Sequence, residues 1–315
     1  MRKFPTRNKK NIDNPHFHVY NTVVKKLTDY GENLMKRIIT IQDISCVGKC
    51  SLTVALPIIS AAGVEAGVIP TAVLSTHTAF PKFTFCDLTD EIQKISDTFE
   101  ELNIDFDAIY TGYLGSFEQL SLVESFIDRF GSRAKVVIDP VMADHGKLYK
   151  GFTPEFAAAM AKLCAKADLI IPNLTEAAFM LGIPYNPDYD EKYIREVLKK
   201  LTDLGAKSAA LTGISFEEGK IGMYYYDSAS NEYYYYCNEY VPAAFHGTGD
   251  IFASFFLGAN MRGKSVKEAL RIAVDFTLLA MEKTMADPAY RTYGVNFEEA
   301  LGDYAAALGN VTEKA

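Results

Sequence analysis

The chain has 315 residues, 49% of them hydrophobic and 23% charged, with a formal net charge of −8. That balance excludes a disordered or fibrous chain, and no run approaches the roughly 18 apolar residues of a membrane-spanning helix. Residues 1–37 carry nine basic and three acidic side chains, a net of +6, leaving −14 on the remainder; so acidic a body argues against nucleic acid as the main partner.

At about 150 residues per domain, length alone would allow two domains. Residues 1–37 contain no apolar core of the kind a secretory leader needs. The five cysteines (Cys46, Cys50, Cys86, Cys164, Cys237) are odd in number and scattered, which points to free thiols in a reducing cytoplasm. Cys46-x-x-x-Cys50 lacks a matching downstream pair, so a zinc site is not expected.

Regular structure begins at Arg37–Gln42, a short apolar run rich in β-branched residues that reads as a buried strand. A helix over Ser51–Ala62 stops at Gly63, and Val64–Pro70 reads as a second strand. A polar loop, Ser75–Phe85, precedes a helix over Asp87–Leu102. Strand Asp107–Thr111 and helix Gln119–Phe130 follow, then strand Lys135–Asp139 and helix Pro154–Ala165. Strand Asp168–Pro172 leads into a short helix, Thr175–Leu181, ended by Gly182. Helix Glu191–Leu204 and strand Ser208–Thr212 complete the alternation. Strands and helices at this spacing predict right-handed βαβ units and a parallel sheet covered on both faces. The pattern then changes. Lys220–Tyr226 and Tyr233–Val241 flank Asp227-Ser-Ala-Ser-Asn231 and predict a Tyr-rich hairpin at a sheet edge. Helices over Thr248–Met261, Ser265–Met285 and Phe297–Leu308 close the chain. With no linker or repeat, the body reads as one domain, residues 37–315, preceded by a basic extension over 1–36.

Ligands of open parallel sheets bind beyond the carboxyl ends of the strands. Asp43 follows the first strand here. Asp139-Pro-Val-Met-Ala-Asp144, Pro172-Asn-Leu-Thr-Glu176 and Thr212-Gly213 follow later ones. Asp and Asn singly favour turns and helix starts, and Thr175 could be a simple helix cap. Together these groups would line one rim.

The most informative segment is His246-Gly-Thr-Gly-Asp250, which opens a strongly apolar helix. Its first-turn N–H groups lack intrahelical partners and the helix dipole favours an anion there. A carboxylate at Asp250 would repel a phosphate unless it takes a proton from an attacking hydroxyl; otherwise it is a first-turn acid matching the dipole. Two tempting motifs fail. Gly48-Lys49-Cys50-Ser51 has Asp43 where a P-loop needs Gly, and Cys50 where it needs Ser or Thr. Gly247-x-Gly249-x-x-Phe252 lacks the third small residue of a dinucleotide fingerprint and does not follow the first strand.

Gly247-Thr-Gly-Asp250, with Asp139-Pro-Val-Met and Pro172-Asn-Leu-Thr-Glu176 upstream, resembles the ribokinase superfamily. Ile41-Gln42-Asp43, Ser75-Thr-His-Thr78 and Thr111-Gly-Tyr-Leu-Gly115 narrow the resemblance to its pyridoxal (vitamin B6) kinase branch, over residues 37–285. The resemblance implies a ribokinase-like three-layer α/β sandwich, a cytoplasmic homodimer, and ATP-dependent phosphorylation of the 5′-hydroxymethyl group of pyridoxal, pyridoxamine or pyridoxine. It makes Asp250 the general base and gives the transferring phosphoryl group to the N–H groups of Gly247, Thr248 and Gly249. Asp139, Asp144 and Glu176 would organise Mg²⁺, with Asn173 beside them, and a monovalent cation is a further candidate. Thr212 and Gly213 would meet the nucleotide phosphates. Asp43, Thr78 and Tyr113 would face the pyridine ring. Two departures stand out. Asp43 replaces a serine common in the branch, which hints at pyridoxamine, and Ala79-Phe80-Pro81 replaces polar or small residues. The rival within the superfamily is hydroxymethylpyrimidine kinase, which resembles Gly-Thr-Gly-Cys instead. A non-catalytic binding protein on the same fold would have lost the base or the metal acids.

Overall fold

The computed structural model describes residues 35–309. All but the last two residues of the basic extension therefore lie outside the described residues. The strands are β1 (Arg37–Val47), β2 (Glu65–Thr76), β3 (Phe85–Asp87), β4 (Ala108–Thr111), β5 (Lys135–Ile138), β6 (Ala143–Asp144), β7 (Lys147–Leu148), β8 (Leu169–Ile170), β9 (Ser208–Ile214), β10 (Lys220–Asp227) and β11 (Glu232–Glu239). Nine of them form one sheet in the order β11-β10-β9-β8-β5-β4-β1-β2-β3, and β6 and β7 form a separate small ribbon. The six central strands, β2 to β9 in that order, are mutually parallel. The two edges are antiparallel.

Alternation along the strands splits the core in two. Ile39, Ile41, Ile109, Val136, Ile138 and Ile170 pack under the helices Thr89–Glu101, Phe117–Phe130, Pro154–Cys164 and Glu191–Asp203. Ile38, Ala108, Tyr110, Val137, Leu169 and Ile171 pack under Leu52–Ala61, Thr248–Met261 and Val266–Ala286. This is the expected three-layer α/β sandwich.

The Tyr-rich hairpin forms one edge of the sheet. Tyr224 and Tyr226 join one core, while Met223 and Tyr225 join the other. The β10 rings are buried and those of β11 half-buried, and several hydroxyls reach outward: Tyr224 donates to Glu191 at 2.6 Å and Tyr236 to Asp275 at 2.6 Å. Arg195 lies 4.4 Å from the centroid of Tyr233, a cation–π contact.

Two expectations need correction. The loop expected over Ser75–Phe85 is shorter, because β2 continues to Thr76 and Phe85 already pairs with Leu74. Three residues give too little alternation to announce β3. The last helix expected, Phe297–Leu308, is instead a 3₁₀ turn over Phe297–Ala300 followed by the helix Leu301–Ala307.

Candidate active site

Two of the strands that meet the rim carry a local irregularity. Between β1 and β2 the register slips: Gln42 faces Pro70 but Ile44 faces Val73. Two β2 residues thus oppose Asp43, a bulge that re-aims its side chain. A second slip lies between β9 and β10, where Ile214 faces Gly222 and Thr212 faces Met223. The extra residue is Gly213, at φ 71°. Thr212 and Gly213 therefore lie within β9, and Asp43 within β1, rather than beyond the strands as expected, because both strands continue past their irregularities. Thr212 bridges to Asn173 at the end of β8.

Gly247 caps the helix Thr248–Met261 with a left-handed backbone (φ 81°, ψ 6°), and no side chain caps that end. Position 247 must be glycine on two counts: its φ is positive, and a Cβ would overlap the Lys49 carbonyl oxygen. A Cβ on Gly249 would stand 3.7 Å from Asp139 Oδ2. The helix N-terminus therefore lies close beside Asp139.

Asp250, in the first turn, has one oxygen held: the Ser51 backbone N–H donates to Oδ2 at 2.9 Å. Its carboxyl is pushed up to about 7 by burial, against the pull of the Ser51 N–H and with the charge of Asp43 adding to the rise. A carboxyl that is half-ionised near neutrality can accept a proton from a hydroxyl. Asp43 is buried, and burial raises its pKa against the hydroxyls that donate to it. Those are Ser51 Oγ to Oδ1 at 2.6 Å and Ser45 Oγ to Oδ2 at 3.3 Å. Tyr113 is raised by burial and by the charge of Asp43.

Asn173 and Glu176 form a capping box at the start of the helix Leu174–Leu181. Glu176 N donates to Asn173 Oδ1 at 2.9 Å, Asn173 N donates to Glu176 Oε2 at 2.9 Å, and Met142 N donates to Glu176 Oε1 at 3.1 Å. Asn173, not Thr175, is the cap. Thr175 Oγ1 instead accepts from Gly146 N at 3.0 Å. Burial raises both Asp139 and Glu176, and Asp139 rises further through repulsion by Glu176 and Asp250. Asp144 is exposed on the small ribbon and accepts from His145 N at 2.8 Å. No three His, Cys, Asp or Glu side chains converge on one metal position among the described residues. The donor set still fits Mg²⁺, which keeps several waters and binds through one or two carboxylates plus phosphate oxygens.

Thr78 lies in an exposed turn after β2. Its neighbour His77 packs against His246 with ring centroids 4.8 Å apart. Ala79 N donates to His77 Nδ1 at 3.2 Å, so the ring proton is on Nε2, which faces Tyr293 O at 3.0 Å. His77 thereby ties the turn, the segment before the anion site and the Tyr293 loop together. Neither His77 nor Ser51 was expected to matter. Ser51 closes the Gly48-Lys49-Cys50-Ser51 stretch that fails as a P-loop. Its backbone, at φ 49° and ψ −132°, is one that L-residues avoid at a cost of about 1–3 kcal/mol.

A sequence model of the phosphomethylpyrimidine kinase family matches residues 56–291. Among solved structures, a candidate phosphomethylpyrimidine kinase from Bacteroides thetaiotaomicron, crystallised with pyridoxal, is 39% identical with a TM-score of 0.82, covering 86% of this chain and 96% of that one. The pyridoxal kinase of Lactobacillus plantarum is 29% identical with a TM-score of 0.81, covering 87% and 98%. The pyridoxal kinase of Dictyostelium discoideum is 27% identical over 245 residues, 72% of this chain and 78% of that one.

Proposed function

Because the chain belongs to the phosphomethylpyrimidine kinase family, we propose that it transfers the γ-phosphoryl group of ATP to the 5′-hydroxymethyl group of a vitamin B6 vitamer. One arrangement carries this reading: Asp250 stands in the first turn of a glycine-capped helix, joined through Ser51 to the ring-side acid Asp43. Oδ2 of Asp250 is held by Ser51, which leaves Oδ1 to take the proton of the 5′-hydroxyl as it attacks. The N–H groups of Thr248 and Gly249 with that of Gly247 stabilise the charge that develops on the phosphoryl oxygens. Phosphoryl transfer asks mainly for this positioning and charge neutralisation.

Mg²⁺ supplies neutralisation of the nucleotide phosphates. Asp139 and Glu176 would hold it largely through water, since both oxygens of Glu176 already accept backbone N–H groups. Asp144 is a further water-mediated partner at the rim. Thr212, on its bulged strand, and Gly213 face the nucleotide side. Asp43, Thr78 and Tyr113 make the ring side, and the family resemblance extends the reading to a homodimer.

The second reading, a hydroxymethylpyrimidine kinase, is favoured by the description of the matching family. Aspartate at position 250, where that resemblance has cysteine, weighs for the B6 vitamer. A coupled ATP-consumption assay with pyridoxal, pyridoxamine, pyridoxine and hydroxymethylpyrimidine side by side decides between them. Turnover with the B6 vitamers is expected. Turnover confined to hydroxymethylpyrimidine overturns the proposal.

A further inference from the structure

Ser51 joins the two acids of the site, and its geometry is unusual in three independent ways. It is one of four non-glycine residues with positive φ among the described residues, with Asn103, His145 and Asn231. Asparagine tolerates such a backbone because its short amide bonds locally; serine has no such excuse. Ser51 is also the N-cap of the helix Leu52–Ala61, where serine is favoured because its oxygen accepts a first-turn N–H. Here the hydroxyl makes no capping bond. Both of its donors go elsewhere: Oγ–H to Asp43 at 2.6 Å and N–H to Asp250 at 2.9 Å.

We infer that Ser51 is a positioning residue of the phosphoryl-transfer site, holding Asp43 and Asp250 in fixed relation through one strained peptide. The inference rests on the reading of Asp250 as the base. The surroundings support the same role. The turn that presents Ser51 is pinned from both sides. Thr53 Oγ1 donates to the Gly48 and Cys50 carbonyls at 3.0 and 2.8 Å. Lys49 Nζ donates to Asn296 Oδ1 at 3.0 Å and pairs with Glu298 at 2.8 Å. The Lys49 carbonyl seats Gly247, so one turn sets both the anion site and its base. The stretch that mimics a P-loop in sequence thus braces the glycine loop at 247.

The conformation offers a clean test, because glycine relieves the strain while removing the hydroxyl. Ser51→Gly should melt no lower than the wild type. Its kcat should fall about tenfold, the weight of one hydrogen bond to a charged group, while KM for ATP stays within twofold. Combined with Asp43→Asn, the double variant should lose no more than the larger single loss, since both act through one bond. Three results overturn the inference: wild-type kcat in Ser51→Gly, kcat and melting temperature lost together, or additive losses in the double variant. Asp250→Asn is run alongside. If it stays active, the base assignment fails; if it is inactive while Ser51→Gly is unimpaired, only the role of Ser51 fails.

Discussion

Replacing Asp250 with Asn should separate catalysis from stability. In the folded chain the carboxyl rises from the ordinary 3.8 to about 7, chiefly through burial. Folding therefore binds a proton between those values, and the folded state loses stability as pH rises from about 4 to about 7. Above that range the buried charge costs about three pH units at 1.36 kcal/mol each, about 4 kcal/mol. Asp250 as a residue is half-buried, and water relaxing around the ion reduces this to roughly 2 kcal/mol. Asparagine is nearly isosteric and its oxygen can still accept the Ser51 N–H. At pH 8 the variant should melt roughly 3–6 °C above the wild type, with the difference gone at pH 4. Turnover should fall about 10²–10⁴-fold, the usual share of a general base. Wild-type kcat/KM for the acceptor should climb about tenfold per pH unit below 7 and level off above it. Differential scanning fluorimetry across pH and the coupled assay read both effects. Near-wild-type turnover would refute the base assignment. A lower melting temperature at pH 8 would refute the claim that burial raises this carboxyl.

Three further outcomes test other parts of the site. Gly247→Ala forces a Cβ into the Lys49 carbonyl and a side chain onto φ 81°; turnover should drop at least about tenfold, and an unimpaired enzyme would show that the anion site does not need this geometry. Glu176→Gln replaces one of the two oxygens that accept the Asn173 and Met142 N–H groups with a donor amide. The Mg²⁺ concentration for half-maximal activity should rise about 10-fold, within the range seen when ligand-orienting partners are lost, and an unchanged titration contradicts its role. Asp43→Ser removes a buried carboxylate from the ring side, so the ratio of kcat/KM for pyridoxamine over pyridoxal should fall severalfold; a constant ratio would remove Asp43 from vitamer selection.

The sequence by itself determined the layered α/β fold, because the strands are short apolar runs and the helices carry a stripe, both local patterns. It also determined the glycine-rich turn that opens an apolar helix at Asp250. Asn173-x-x-Glu176 was legible as a pair, although the identity of the cap at Asn173 rather than Thr175 was not. Only the tertiary structure decided what turned these positions into a site. The bulges that aim Asp43 and Thr212 arise from pairing between strands distant in sequence, and no local pattern encodes a register slip. The pairing of Ser51 with Asp250 spans 199 positions. Its strained backbone is held by its bonds to Asp43 and Asp250 and by a turn anchored through Lys49 to Asn296 and Glu298, tertiary contacts that outweigh the local preference against it. The −14 of the body follows the same division. The count is a property of the sequence, but burial decided that Asp43, Asp139, Glu176 and Asp250 each resist ionisation.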